Sequence, residues 1–178
     1  PLMRSRAKAV NFGIVYGISA FSLAQDLKIS KKEAEEYMSI YFERYPKIKG
    51  YLEDVVNEAK DKGYVLTILN RRRFIPEIKS SNKIVKALGE RLAMNAPIQG
   101  SAADIIKLAM VNVYNKLKEK NLKSELILQV HDELILNVKK DEFDTVKELV
   151  ISEMENAIKL SVALDVDFNS GYTWYEAK

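Results

Sequence analysis

Lys83 to Asn95 and Ala102 to Lys120 both have helical character, and only the stretch holding Pro97 and Gly100 separates them. A proline inside a helix removes a donor and crowds the preceding turn, so the spacing predicts either a break there or one long bent helix. Whatever fold the chain takes has to accommodate that element. Upstream, Arg4 to Tyr16 reads as a helix, with Pro1 compatible with its start and Gly17 placed to end it. Ser30 followed by Glu33 forms a capping box, and Ala34, Tyr37, Met38, Tyr41 and Phe42 recur at helical spacing as far as Pro46. A further helix is expected from Ile48 to Lys60, closed by Gly63.

Strand signals are fewer. Tyr64 to Leu69 and Phe74 to Ile75 flank Asn70-Arg71-Arg72-Arg73 in the manner of a short hairpin with a basic tip. Leu126 to Val130 and Leu134 to Val138 are apolar runs separated by His131-Asp132-Glu133. A helix from about Phe143 to Leu160 and a closing strand from Leu164 to Phe168 complete the expectation. The fold class predicted from this order is α+β.

Composition removes several function classes. The chain has no cysteine and one histidine, so a disulfide framework, a thiolate metal site and a multi-histidine zinc centre are all excluded. The reducing cytosol is the expected compartment. No apolar run approaches the roughly 20 residues of a membrane span, and no signal-peptide pattern opens the chain. A net charge of +3 is small, but the excess is local, at Arg4, Arg6 and Lys8 and again at Arg71 to Arg73. Such clusters suit a polyanion.

Arg4, Lys8, Phe12 and Tyr16 follow one another at intervals of four. At about 100° per residue they drift slowly around a helix and form one inclined stripe, two cations leading to two aromatic rings. A nucleoside triphosphate presents the matching order of needs, with charged phosphates at one end and a flat base and sugar at the other. Arginine grips phosphate oxygens through its fork, lysine as a point charge. Gly13 and Gly17 each cost about 1 kcal/mol of helix propensity, which a closely approached backbone or a helix end would justify. Spacing alone describes a surface helix with solvated cations and core aromatics at least as well.

Asp132 and Glu133 lie between two apolar strands, a rigid place from which to present oxygens to magnesium, although acidic hairpin turns are common without any metal. Arg91, Asn95 and Gln99 are also four apart. Ordinary polar satisfaction near a helix kink accounts for them equally.

The strings are more specific than their spacing. Arg4-Ser5-Arg6-Ala7-Lys8-Ala9-Val10-Asn11-Phe12-Gly13-Ile14-Val15-Tyr16-Gly17 closely resembles the motif B helix of family A DNA polymerases, R-x-x-x-K-x-x-x-F-G-x-x-Y-G. Every defined position is met, and Asn11 matches the bacterial form; Ser5 stands where many relatives have a second arginine. Gln129-Val130-His131-Asp132-Glu133 resembles motif C of the same family, in the same order and at a comparable distance downstream. Asn95 to Asp104 resembles the helix before motif C, so the resemblance extends over essentially the whole chain.

That resemblance implies roles. Arg4 and Lys8 would hold the incoming triphosphate, Phe12 would lie against its sugar and base, and Tyr16 would stack near the templating position. Asp132 would coordinate the catalytic metals, two Mg²⁺ ions, with Glu133 a weaker or indirect contributor; these two and Lys8 form the implied catalytic set. Arg91, Asn95 and Gln99 would make a DNA-facing edge. Gln99 and His131 would probe the minor groove, whose acceptors are shared by every correct base pair. Arg71, Arg72 and Arg73 would meet template phosphates, a solvated basic turn being the alternative.

The implied architecture is helical fingers over residues 1–80, then the carboxy-terminal half of a palm over 81–178, with an antiparallel sheet and packed helices. The implied parent is a cytoplasmic, nucleoid-associated bacterial enzyme of DNA replication and repair, a nucleotidyltransferase adding deoxynucleotides to a primer 3′ end. Its partners would be primer-template DNA, deoxynucleoside triphosphates and the remaining polymerase chain, namely the thumb and a palm segment bearing the motif A aspartate; none is a membrane. Asp104 and Asp141 are expected in helix-cap or surface roles, not as that aspartate. The 178 residues alone are expected to be inactive. A rival reading, a nucleic-acid-binding fragment or degenerate paralogue, is opposed by intact Arg4, Lys8 and Asp132. No helix-turn-helix pattern supports a transcription regulator.

Overall fold

Local chemistry decides where the helices begin and end. The computed structural model describes residues 2–177. Helix α1 (Leu2–Val15) stops where Gly17 takes φ +71°, and α2 (Ala20–Leu27) starts at Ser19, whose side chain accepts the Ser22 N–H. Helix α3 (Lys31–Arg44) is capped by Ser30, whose Oγ accepts the Glu33 N–H at 3.2 Å. The Glu33 carboxylate turns to the Tyr37 hydroxyl instead of closing the reciprocal half of the box. Helix α4 (Pro46–Lys62) opens with proline in its first turn and closes at Gly63, φ +79°.

Strands β1 (Tyr64–Leu66) and β2 (Arg72–Phe74) form an antiparallel hairpin in the register Tyr64 to Phe74, Val65 to Arg73 and Leu66 to Arg72. A 3-10 turn, Pro76–Lys79, leads to Asn82, whose Oδ1 accepts the Ile84 N–H at 2.9 Å at the head of α5. Helix α5 runs from Lys83 to Glu119 without interruption, with Pro97 inside it. The alternative of two separate helices is thereby settled. Strands β3 (Glu125–Val130) and β4 (Glu133–Asn137) make a second antiparallel pair, with a register shift between Leu126 and Leu128 that leaves Ile127 and Leu128 about half exposed. After a 3-10 turn at Lys140–Glu142, α6 (Phe143–Glu155) is the last regular element. The architecture is α+β, helices with two small antiparallel sheets.

The chain packs as two compact units, Pro1–Ser101 and Ala102–Lys178, with α5 contributing to each. The first unit has two cores. One gathers Leu23, Ala24, Leu27 and Ala34 with the partly buried Ala9, Val10 and Ile18, and the other joins Val55, Val56 and Ala59 to Val65, Ile75, Ile78, Ala93 and Ala96. In the second unit Val113 and Leu117 of α5 pack on Val146, Leu149 and Val150 of α6, beneath Leu134 and Leu136 of β4. Full burial of one such side chain contributes about 1.5–3 kcal/mol.

Several expectations need correction. Arg72 and Arg73 belong to β2 rather than to the hairpin tip, and Ile75 lies outside the strand. Helix α2 was not foreseen, because its end is marked by Lys28 at φ +54°, a left-handed residue that is not glycine. Helix α6 ends at Glu155 and not near Leu160, since Asn156 turns both its N–H and its side-chain amide onto the Ser152 carbonyl. Residues 164–168 form no strand. Alternation supplies a face, but a strand exists only when another backbone satisfies it, and no described segment pairs with this one. Its Phe168 is held by side chains instead, edge-on to Phe143 at 5.9 Å and beneath Lys147 at 4.9 Å.

Candidate functional site

Helix α1 divides into a packed side and an open one. Ile14 is 1% exposed, and Ala9 and Val10 lie against the first core, whereas Arg4, Lys8, Phe12 and Tyr16 are all exposed. The aromatics are therefore not core residues, which removes the ordinary surface-helix explanation for half the stripe. Phe12 and Tyr16 have ring centroids 6.1 Å apart at an interplanar angle of 32°, and Lys8 Nζ sits 5.7 Å from the Phe12 centroid. Cation and rings thus form one continuous strip, with the lysine free to leave the ring for a stronger anion. Asn11 Oδ1, at the border between strip and packed side, accepts the Tyr41 hydroxyl at 2.7 Å. Burial, then neighbouring Tyr45, pushes that hydroxyl above its ordinary pKa, so it remains a donor at neutral pH. Spacing gave no signal for this link.

At the far end of α1 the chain is gripped. A Cβ on Gly17 would meet Met94 Sδ at 2.7 Å and Arg91 Cγ at 3.4 Å. Arg91 is exposed, and its stem lies against the helix terminus. Asn95, on the next turn of α5, has Oδ1 buried with no hydrogen-bond partner among the described residues, an arrangement that costs about 1–3 kcal/mol unless something supplies a donor. Gln99 is exposed. In the basic hairpin Arg71 Nη2 donates to the Gly100 carbonyl at 3.1 Å, and the Arg72 guanidinium lies 5.0 Å from the Tyr64 ring centroid. Arg73 is exposed on the strand, opposite Val65.

The carboxylate turn belongs to the second unit. Val130 pairs with Glu133, so the turn proper is His131 and Asp132, and Glu133 is the first residue of β4. Asp132 therefore stands at the tip while Glu133 is fixed in the ladder, which separates two carboxylates that the sequence places side by side. His131 has φ +54°, a conformation uncommon outside glycine, and its carbonyl is held by Gln129 Nε2 at 2.6 Å. The side chains of His131, Asp132 and Glu133 are all exposed. Among the described residues no three His, Cys, Asp or Glu side chains cluster as a metal site. Asp132 therefore does not by itself belong to a complete ligand set among the described residues. Asp104 is 6% exposed on α5, which corrects its expected surface role, and Asp141 is exposed in the 3-10 turn before α6.

A family model described as DNA polymerase family A matches residues 1–176. The chain belongs to DNA polymerase family A. Among relatives, it is 61% identical over its full length to DNA polymerase I of Caldicellulosiruptor bescii and 56% identical over 176 residues to DNA polymerase I of Bacillus subtilis. It spans about a fifth of the length of these family A proteins, 21% and 20% respectively. Among solved structures, the polymerase domain of Pol1 from M. smegmatis, in complex with DNA primer-template and dNTP, superposes with a TM-score of 0.96 at 48% identity. That match covers 99% of this chain and 31% of the other.

Proposed function

We propose that the chain is the fingers and the carboxy-terminal half of the palm of a longer bacterial DNA-directed DNA polymerase, with fingers over residues 1–80 and palm over 81–178. The observation that carries the reading is the open face of α1, where two cations lead into two exposed rings on a helix whose opposite side is buried. Family membership over residues 1–176 supports it, as does likeness to a polymerase domain solved with primer-template and dNTP. The proposed functional division at residue 80 differs from the packing division at Ser101, where the first half of α5 shares a core with α4 and the β1–β2 hairpin.

Arg4 and Lys8 bind the triphosphate and offset its charge, Phe12 lies against sugar and base, and Tyr16 stacks toward the templating position. Mutual proximity of these groups lowers the entropy cost of reaction by fixing the nucleotide before chemistry. Asp132, at the tip of its turn, fits one ligand position for divalent metal, with Glu133 contributing indirectly. Magnesium bound there would stabilise phosphate charge and lower the pKa of the attacking primer hydroxyl. Arg91, Asn95, Gln99 and His131 face the duplex, and the basic β1–β2 hairpin, bearing Arg71, Arg72 and Arg73, lies toward template phosphate. The remaining metal ligand and the thumb are supplied by the rest of the polymerase chain. Among the described residues no helix is long and apolar enough to cross a membrane; the proposed location is cytoplasmic, at the nucleoid.

The test is primer extension by the full-length protein with Mg²⁺ and four deoxynucleotides. Template-directed elongation is expected, and Lys8→Ala should lower kcat/KM for the nucleotide by roughly ten- to a hundred-fold, the worth of one charge-assisted contact. Absence of templated extension, or wild-type kcat/KM in the variant, would contradict the reading.

A further inference from the structure

Several contacts converge on the one turn of α5 in which a proline interrupts the helical ladder. Pro97 has no N–H to give the carbonyl four residues before it, and the following turn is clamped by the loop between β1 and β2. The Ile68 N–H donates to Ser101 Oγ at 2.8 Å, and the Ser101 hydroxyl donates to the Pro97 carbonyl. Arg71 Nη2 donates to the Gly100 carbonyl at 3.1 Å. Thr67 closes the loop on itself, its N–H donating to the Arg71 carbonyl at 3.0 Å and its Oγ1 accepting the Arg71 N–H at 3.1 Å. Thr67 is 8% exposed, and a Cβ on Gly100 would fall 2.6 Å from its Cγ2. Only glycine lets loop and helix approach this closely.

Three consecutive arginines consequently occupy three different situations. Arg71 holds the backbone of α5, Arg72 lies over the Tyr64 ring, and Arg73 is exposed across from Val65. We propose that Arg71 is a positioning residue for the DNA-facing edge of α5, fixing the turn that presents Gln99, and that Arg73 supplies this hairpin's phosphate contact. The inference rests on the polymerase reading above. Gln99 directly precedes Gly100, so its backbone follows the peptide that Arg71 grips. A side chain that probes minor-groove acceptors can test base-pair geometry only from a fixed backbone.

Salt dependence separates the two roles. A cation that neutralises a phosphate releases a counterion on binding, and its loss flattens the slope of log affinity against log salt by about 0.9; a cation bound to its own backbone contributes no such slope. Primer-template affinity across a salt series, and extension from matched against mismatched primer termini, are measured with the full-length polymerase. Arg73→Gln should flatten the slope by about 0.9. Arg71→Gln should keep the wild-type slope while extending mismatched termini roughly five-fold more readily relative to matched ones, the equivalent of one lost hydrogen bond. Gly100→Ala should reproduce that loss of discrimination without altering any charge. Adding Thr67→Ser, which removes the obstructing methyl and keeps the accepting oxygen, should restore it. The assignment is overturned if Arg71→Gln flattens the slope as Arg73→Gln does, if Arg73→Gln leaves it unchanged, or if Gly100→Ala retains wild-type discrimination. Failure of the wild-type enzyme to extend any primer would overturn the polymerase reading itself, and this assignment with it.

Discussion

The Tyr41 hydroxyl donates a 2.7 Å hydrogen bond to Asn11 Oδ1, tying α3 to the helix that carries Lys8 and Phe12. Asn11 is within one turn of both, so the bond limits rotation of the strip about the axis of α1. Tyr41→Phe in the full-length polymerase should raise KM for the incoming nucleotide by roughly two- to ten-fold, as expected for one hydrogen bond of about 0.5–1.5 kcal/mol. Primer-template affinity should not change. An unaltered nucleotide KM would show that α1 is oriented by its apolar contacts alone.

Gly17 should tolerate no side chain. Its φ of +71° and the 2.7 Å approach of Met94 Sδ to a notional Cβ act together. Gly17→Ala is expected to destabilise the fold by about 2–4 kcal/mol, combining left-handed backbone strain with overpacking. Gly50, mid-helix in α4 with nothing within 4 Å, is the control, and Gly50→Ala should stabilise by about 0.5–1 kcal/mol. Denaturant midpoints of the two variants should move in opposite directions; movement in the same direction would refute the distinction.

Acid should release a clasp in the second unit. The Glu142 carboxylate accepts the Lys123 N–H at 2.9 Å, the Ser124 hydroxyl at 2.6 Å and the Ser124 N–H at 2.9 Å. The Lys123 backbone bond, then the Ser124 hydroxyl, holds its pKa below the ordinary 4.5. A depressed folded pKa means that the stabilisation is present above the unfolded value and is lost as pH falls through the folded one. Glu142→Gln should therefore lower stability at neutral pH, with the deficit shrinking below about pH 4.5. A deficit that stays constant with pH would deny the carboxylate this role.

Helices with a side-chain cap and an apolar period were legible in the sequence, as Ser30 and the residues after it show. So was the carboxylate turn between two apolar runs. What escaped depended on tertiary partners. The closing segment at 164–168 has the alternation of a strand without a backbone to pair with, and α2 ends on a lysine in a glycine-like conformation. The strip on α1 could be read as residue types at a spacing, but only packing shows which side is open. Three adjacent arginines look equivalent in sequence; contact with Gly100 and Tyr64 makes them different. The left-handed backbone of His131, which puts Asp132 at the tip and Glu133 in the ladder, has no local signature at all.

The central claim is that the tip carboxylate of the β3–β4 turn serves metal-dependent nucleotidyl transfer and not DNA binding. Replacing Asp132 by Asn keeps the size and the turn while removing the charge that holds a divalent cation. The decisive measurement is single-turnover primer extension by the full-length Asp132→Asn polymerase, alongside its primer-template affinity. The account predicts a loss of roughly a thousand-fold or more in rate, about 4 kcal/mol in the barrier, with affinity for primer-template essentially unchanged. Extension at the wild-type rate, or a matching collapse of DNA affinity, would contradict it.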